Sequence, residues 1–164
     1  MNVEGETILV TGSTDGVGRY VAERLGAEGA RVLVQGRDRV RGDEVVGRIE
    51  KAGGRARFRE ADLASLAEVR KLAAAVERET DGLDVLVNNA GIGAAGEGRA
   101  ASPDGFKLRF AVNYLAGFLL ARLLLPLIEA RAPARFVNVL RLGDQCAGPD
   151  PQPARLPARL GPAR

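Results

Sequence analysis

The sequence predicts an α/β fold: a doubly wound parallel sheet, incomplete at its C-terminal side. Three observations carry this reading. Short apolar runs alternate with segments of helical period from residue 7 to residue 140, the order that covers a parallel sheet on both faces. A glycine-rich turn, Thr11-Gly12-Ser13-Thr14-Asp15-Gly16-Val17-Gly18, joins the first apolar run to the first helical segment. After five strands the pattern stops, and sixteen of the last 24 residues are Pro, Ala, Arg or Gly.

Each element follows in order. Residues 7–11 read as a buried strand, and residues 17–28 as a helix with Val17, Val21 and Leu25 on one side beside the small Ala22 and Gly26. Residues 31–35 form a second strand, and residues 39–52 a helix ended by Gly53-Gly54. Residues 55–59 form a third strand. Asp62 or Ser65 caps a helix to about residue 79, in which Leu66, Val69, Leu72 and Val76 recur at intervals of three and four. Residues 83–87 form a fourth strand, with the turn Asn88-Asn89-Ala90-Gly91 behind it. Residues 92–105 are a loop. A long helix covers residues 106–130 with Pro126 as a kink, and residues 135–140 make the fifth strand. Residues 1–140 are therefore one domain. Residues 141–164 are an irregular tail with no helical or strand period.

Bulk properties narrow the function. At 164 residues, 46% hydrophobic and 27% charged, the chain has the make-up of a single globular domain. It has one cysteine, Cys146, and no histidine. An internal disulfide and a metal cluster are thereby excluded, and a reducing, cytoplasmic setting fits. No stretch has the form of a signal peptide or the ~20 apolar residues of a membrane span. The net charge is +3, but the tail holds four Arg and two Asp, a net of +2. The body is thus nearly neutral and shows no basic face with interleaved aromatics, so nucleic acid is not an expected partner.

The glycine turn has a direct chemical meaning. Glycines at Gly12, Gly16 and Gly18 let the backbone turn tightly and approach a pyrophosphate. The helix that starts there aims its unpaired N–H groups and positive dipole end at the phosphates. Ser13, Thr14, Asp15 and Val17 complete the turn. At the end of the second strand, a carboxylate would hydrogen-bond both ribose hydroxyls of NAD and repel a 2′-phosphate. That position is Gly36, followed by Arg37. A guanidinium there pairs bidentately with a 2′-phosphate, so NADP(H) is favoured over NAD(H).

Taken together, Thr11–Gly18, Asn88-Asn89-Ala90-Gly91 and Asn113 within FAVNYLAGFLL resemble the short-chain dehydrogenase/reductase family over residues 6–140. The stretch SPDGFKLRFAVNYLAGFLL is similar to its retinol-dehydrogenase-like branch. The resemblance implies a Rossmann-like fold of strand order 3-2-1-4-5 and an oxidoreductase acting on carbonyls or alcohols. It implies that Asp62-Leu63 lie beside the adenine, and that Ala90-Gly91, in the turn with Asn89, lie along the nicotinamide ribose. It places Asn88 as a tether at the sheet centre, and Asn113 as a catalytic-site residue whose backbone carbonyl holds a water.

The departures from that family are as informative. Its chemistry uses Tyr-x-x-x-Lys and a serine after the fifth strand. The lysine charge lowers the phenol pKa and holds the ribose. Here Leu140-Arg141 stand where the family has Ser-Ser, and beyond Tyr114 the sequence holds no tyrosine and no lysine. Whether the chain is an enzyme is therefore open. One alternative is a non-catalytic cofactor- or partner-binding protein, with helix 106–130 offering a surface for homo- or hetero-oligomerisation. Another is a truncated or frameshifted product, because out-of-frame GC-rich codons give tails of this composition.

Overall fold

The computed structural model of the protein describes residues 3–93 and 100–140. The tail with Cys146 and residues 94–99 of the expected loop lie outside them. Five parallel strands form one sheet: β1 (Thr7–Val10), β2 (Arg31–Gly36), β3 (Arg55–Glu60), β4 (Val85–Asn88) and β5 (Arg135–Asn138). Their order is β3-β2-β1-β4-β5. β1 sits at the centre and is buried at every position, which is why its sequence is continuously apolar rather than alternating.

The strand period of two sends successive side chains to opposite faces. Leu9, Leu33 and Leu86 point to one face, where they pack with α3 (Leu66–Glu79) and α5 (Ala116–Leu123). Ile8, Val10, Val32, Val34, Val85 and Val87 point to the other. There they meet Ala22 of α1 (Gly16–Ala27) and Val45 and Ile49 of α2 (Arg39–Lys51). The outermost strand, β3, behaves differently. Ala56 and Phe58 are buried toward α2, whereas Arg55 and Arg57 lie exposed on the opposite face and Arg59 is half-buried there.

Each long helix opens on a side-chain cap. Asp15 accepts from Gly16 N at 2.7 Å, Asp38 from Arg41 N at 3.1 Å and Ser65 from Glu68 N at 3.4 Å. Of the two expected caps for α3, Ser65 is the N-cap, while Asp62 Oδ1 accepts from Ala64 N at 2.9 Å in the turn before it. Ser65→Ala is expected to cost about 1 kcal/mol of stability, read as a lower urea midpoint with an unchanged slope.

The expected single helix 106–130 is broken. It consists of α4 (Leu108–Phe110), a π turn (Ala111–Leu115), α5 and α6 (Leu125–Glu129). Pro126 has no N–H to donate into a continuing helix, so a new helix starts around it, with the proline in the first turn where the donor is not needed. The π turn marks an inserted residue in the helical register, beside Asn113. The fourth strand begins at Val85 rather than residue 83, because Leu83 N already donates to Leu127 O at 3.0 Å.

Among the described residues β5 pairs with β4 alone, and Phe136 on it is 44% exposed. On the neighbouring helices Phe110, Tyr114 and Phe118 stack in a row, with ring centroids 5.4 and 6.3 Å apart. Among the described residues no helix is long and apolar enough to cross a membrane. None of their His, Cys, Asp or Glu side chains gather into a group that could hold a metal ion.

Candidate functional site

In an open parallel sheet, the crevice outside the carboxyl ends of the strands is where ligands bind. A cleft of about 990 Å³ lies at that place, between the exits of β1 to β5. Its floor is the glycine turn, which is fastened to the exit of β4 by a compact hydrogen-bond set. Thr11 Oγ1 accepts from Asn89 N at 3.0 Å and from Ala90 N at 3.1 Å. Asn89 Nδ2 donates to Thr11 O at 2.9 Å and to Gly12 O at 3.1 Å. The side chain of Asn89 therefore shapes the turn itself.

The three glycines differ in what they permit. Gly12 has φ +61°, and an added Cβ would stand 2.8 Å from the Ala90 Cα. At Gly18 a Cβ would overlap Asn89 Nδ2 and Gly12 O. Both positions serve the contact between β1 and β4. Gly16, with φ +52°, has nothing within 4 Å of an added Cβ, so a side chain there would project into open space at the cleft. Past it, the N–H groups of Val17 and Gly18 at the start of α1 have no acceptor among the described residues. These are the donors that an anion at a helix N-terminus takes.

Thr14, Asp15 and Val17 line the cleft with Gly12, Gly16 and Gly18. Ser13 does not. It is fully buried, and its hydroxyl donates to Val10 O at 2.7 Å and accepts from Gln35 N at 3.0 Å. Its hydroxyl thus serves an internal role, pinning the turn to β2.

Gln35 is the functional residue that the sequence reading missed. It is 1% exposed at the end of an otherwise apolar strand. Its Oε1 accepts from Gly12 N at 3.1 Å, and its Nε2 donates to Ala61 O at 2.8 Å. One amide thus joins the exits of β1, β2 and β3. A polar side chain closing a buried strand was the available signal.

Beyond β2, Gly36 and Arg37 both line the cleft. An added Cβ at Gly36 would overlap Thr14 Cγ2, so a carboxylate at this position requires the Thr14 side chain to move. Arg41, also missed from sequence, lines the same wall. It lies 3.6 Å from Asp15 Oδ2 and 3.5 Å from Asp38 Oδ2, and so stands one helical turn beyond Arg37 with an exposed guanidinium. Asp62 and Leu63 line the cleft beyond β3, and Asn89, Ala90 and Gly91 line it beyond β4.

Asn113 reaches the cleft from the π turn. Its Oδ1 accepts from Ile92 N at 2.9 Å and its Nδ2 donates to Ile92 O at 3.1 Å. The side chain is therefore engaged in holding the segment after β4. Asn88 donates from Nδ2 to Asn138 Oδ1 at 3.0 Å, tying β4 to β5. The far wall is made by Val139 and Leu140. Neither tyrosine belongs to the cleft lining: Tyr20 is 67% and Tyr114 58% exposed elsewhere.

Known proteins share this arrangement. The family profile described as short chain dehydrogenase matches residues 6–142. Mouse retinol dehydrogenase 14 is 40% identical over 149 residues, a match covering 84% of this chain and 44% of that protein. Mouse polyprenol dehydrogenase is 44% identical over 142 residues, covering 85% of this chain and 42% of that one. The chain thus spans less than half the length of these curated relatives. Among solved structures, a metagenomic short-chain oxidoreductase in complex with NADP superposes with a TM-score of 0.74 at 33% identity, over 84% of this chain and 63% of that one.

Proposed function

This chain belongs to the short-chain dehydrogenase family, and we propose that it binds NADP(H) in preference to NAD(H) as the cofactor portion of an oxidoreductase of alcohol and carbonyl groups. The observation that carries the cofactor choice is the pairing of Gly36, where a side chain would meet that of Thr14, with Arg37 and Arg41 in the cleft lining. The residues fit the group: the N–H groups at the start of α1 face the pyrophosphate position, and the guanidiniums face that of the 2′-phosphate. Asp62 and Leu63 border the adenine, and Ala90 and Gly91 the nicotinamide ribose. The bound cofactor would supply hydride transfer at its nicotinamide. The chain's own residues bind and orient it, with Gln35 and Asn89 fixing the turn and Asn113 fixing the segment that borders the nicotinamide end. The relatives' names, retinol and polyprenol dehydrogenase, denote alcohols, and we extend that substrate class to this chain.

A second reading is favoured by a specific observation. Leu140 stands in the cleft wall where the family has a serine, and no tyrosine lines the cleft. On that reading these 164 residues alone bind cofactor without turning it over.

Fluorescence titration tests the cofactor reading. NADPH is expected to bind about 10–100-fold more tightly than NADH, the worth of one charge-assisted contact of about 1.5–3 kcal/mol. Arg37→Asp should reverse the preference. Equal affinity for both cofactors, unchanged by the substitution, would overturn the assignment.

A further inference from the structure

The open face of β3 carries a feature unconnected with the cleft. Arg55, Arg57 and Arg59 alternate with Ala56 and Phe58, and successive arginines therefore project to one side about 6.6 Å apart along the strand. Arg31 of β2 is the direct register partner of Arg55. At the end of α3, the Glu79 side chain is only 6% exposed and meets three of these guanidiniums. Arg31 Nη2 lies 3.2 Å from Oε1 and Arg57 Nε 3.4 Å from the same oxygen. Arg59 Nε donates to Oε2 at 2.7 Å, and its Nη2 also contacts Oε2. Around them opens a cavity of about 500 Å³, which Arg78 also borders.

The charges do not balance. One carboxylate faces three guanidiniums, leaving two positive charges. The C-terminal end of α3 adds about half a negative charge, and Arg31 Nη2 uses it through a bond to Glu79 O at 3.3 Å. Arg78, which borders the cavity and makes no salt bridge among the described residues, raises the excess again. Both oxygens of Glu79 already have two guanidinium contacts each, so further N–H donors are left facing the cavity. A structural tie for α3 would need one arginine, and this site has four at its rim. Like charges held this close raise the local concentration of anions. Forks arriving from two strands and a helix suit an oxyanion with several oxygens in different directions.

We propose that this cavity is a second anion site, separate from the cleft, that takes a phosphate-class oxyanion carrying at least two charges. Its source is either a free phosphorylated molecule or the headgroup of an anionic lipid.

The test uses the whole chain and inorganic pyrophosphate, followed by calorimetry at low and at physiological salt. Pyrophosphate also resembles the central part of a dinucleotide, so two variants separate the sites. Arg57→Gln combined with Arg78→Gln alters only exposed side chains and keeps Glu79 paired with Arg31 and Arg59. It is expected to weaken one class of pyrophosphate binding at least tenfold while NADPH affinity stays that of the wild type. Gly16→Val is expected to spare that class. Co-sedimentation with phosphatidylcholine vesicles, with and without phosphatidic acid, distinguishes the sources. Pelleting on the acidic vesicles that the double variant loses assigns a headgroup. Binding of pyrophosphate without pelleting assigns a free anion. If neither probe binds, or if the double variant binds both as the wild type does, the proposal is wrong, whatever the cofactor titrations show.

Discussion

Gly16→Val is expected to remove NADPH binding and leave the fold standing. The residue has φ +52° and no neighbour within 4 Å of an added Cβ. A valine there keeps the packing between β1 and β4 but places its branched side chain at the mouth of the turn, where a pyrophosphate would lie. The left-handed backbone costs an L-residue about 1–2 kcal/mol, a loss that a domain of this size tolerates. Affinity should fall at least about 100-fold, some 2.8 kcal/mol at 1.4 kcal/mol per decade. Gly12 and Gly18 are poorer places for the same experiment. A side chain there strikes Ala90, or Asn89 and the Gly12 carbonyl, so lost binding would be confounded with a damaged sheet exit. NADPH fluorescence titration beside a thermal melt by circular dichroism decides the matter. Wild-type affinity in a folded Gly16→Val protein would remove the glycine turn from the cofactor site.

The second large effect concerns turnover. These 164 residues by themselves are expected to reduce aldehydes and ketones with NADPH at least about 10²–10⁴-fold more slowly than a family member that has Tyr-x-x-x-Lys, the usual contribution of a positioned acid–base pair. The chain's lysines are Lys51, Lys71 and Lys107, and none of them borders the cleft. Tyr114 follows Asn113 in the sequence, yet its ring is stacked between Phe110 and Phe118 and points elsewhere. The measurement is NADPH oxidation across aldehydes, ketones and alcohol–NADP pairs, in material free of host reductases. Saturable turnover that vanishes in Gly16→Val would show that another residue donates the proton.

Much of this architecture can be read from the chain because its signals are local. Each inner strand is an apolar run bounded by turn residues, and each of the three long helices opens on an Asp or Ser. Strand ends differ from the sequence reading by one or two residues, since pairing across the sheet sets them. The π turn at Ala111–Leu115 had no such local mark. It coincides with Asn113, whose side chain bonds the backbone of Ile92 twenty-one residues away. The hydroxyl of Ser13 is a similar case. A hydroxyl in a glycine turn reads as a ligand contact until its distant partner, Gln35, is in place. Gln35 leaves one local mark, a polar residue closing an apolar strand, but the partners of Gln35 and Arg41 come from loops that meet only in the folded chain. The alternation of Arg55, Ala56, Arg57, Phe58 and Arg59 was visible as a strand, but the uncovered face it creates depends on β3 being outermost.

The amide of Gln35 has a further consequence for how this site could change over time. It grips the turn at Gly12, and it is the residue immediately before the Gly36-Arg37 pair that lines the cleft beyond β2. If the proposed cofactor assignment holds, discrimination between the two dinucleotides and retention of either are coupled through a single peptide link. A lineage that remodels Gly36 must also resettle the Thr14 side chain, which sits in the turn that Gln35 anchors. On the proposed reading, a replacement at Gly36 calls for a matching change at Thr14, whereas Arg37 can be replaced alone.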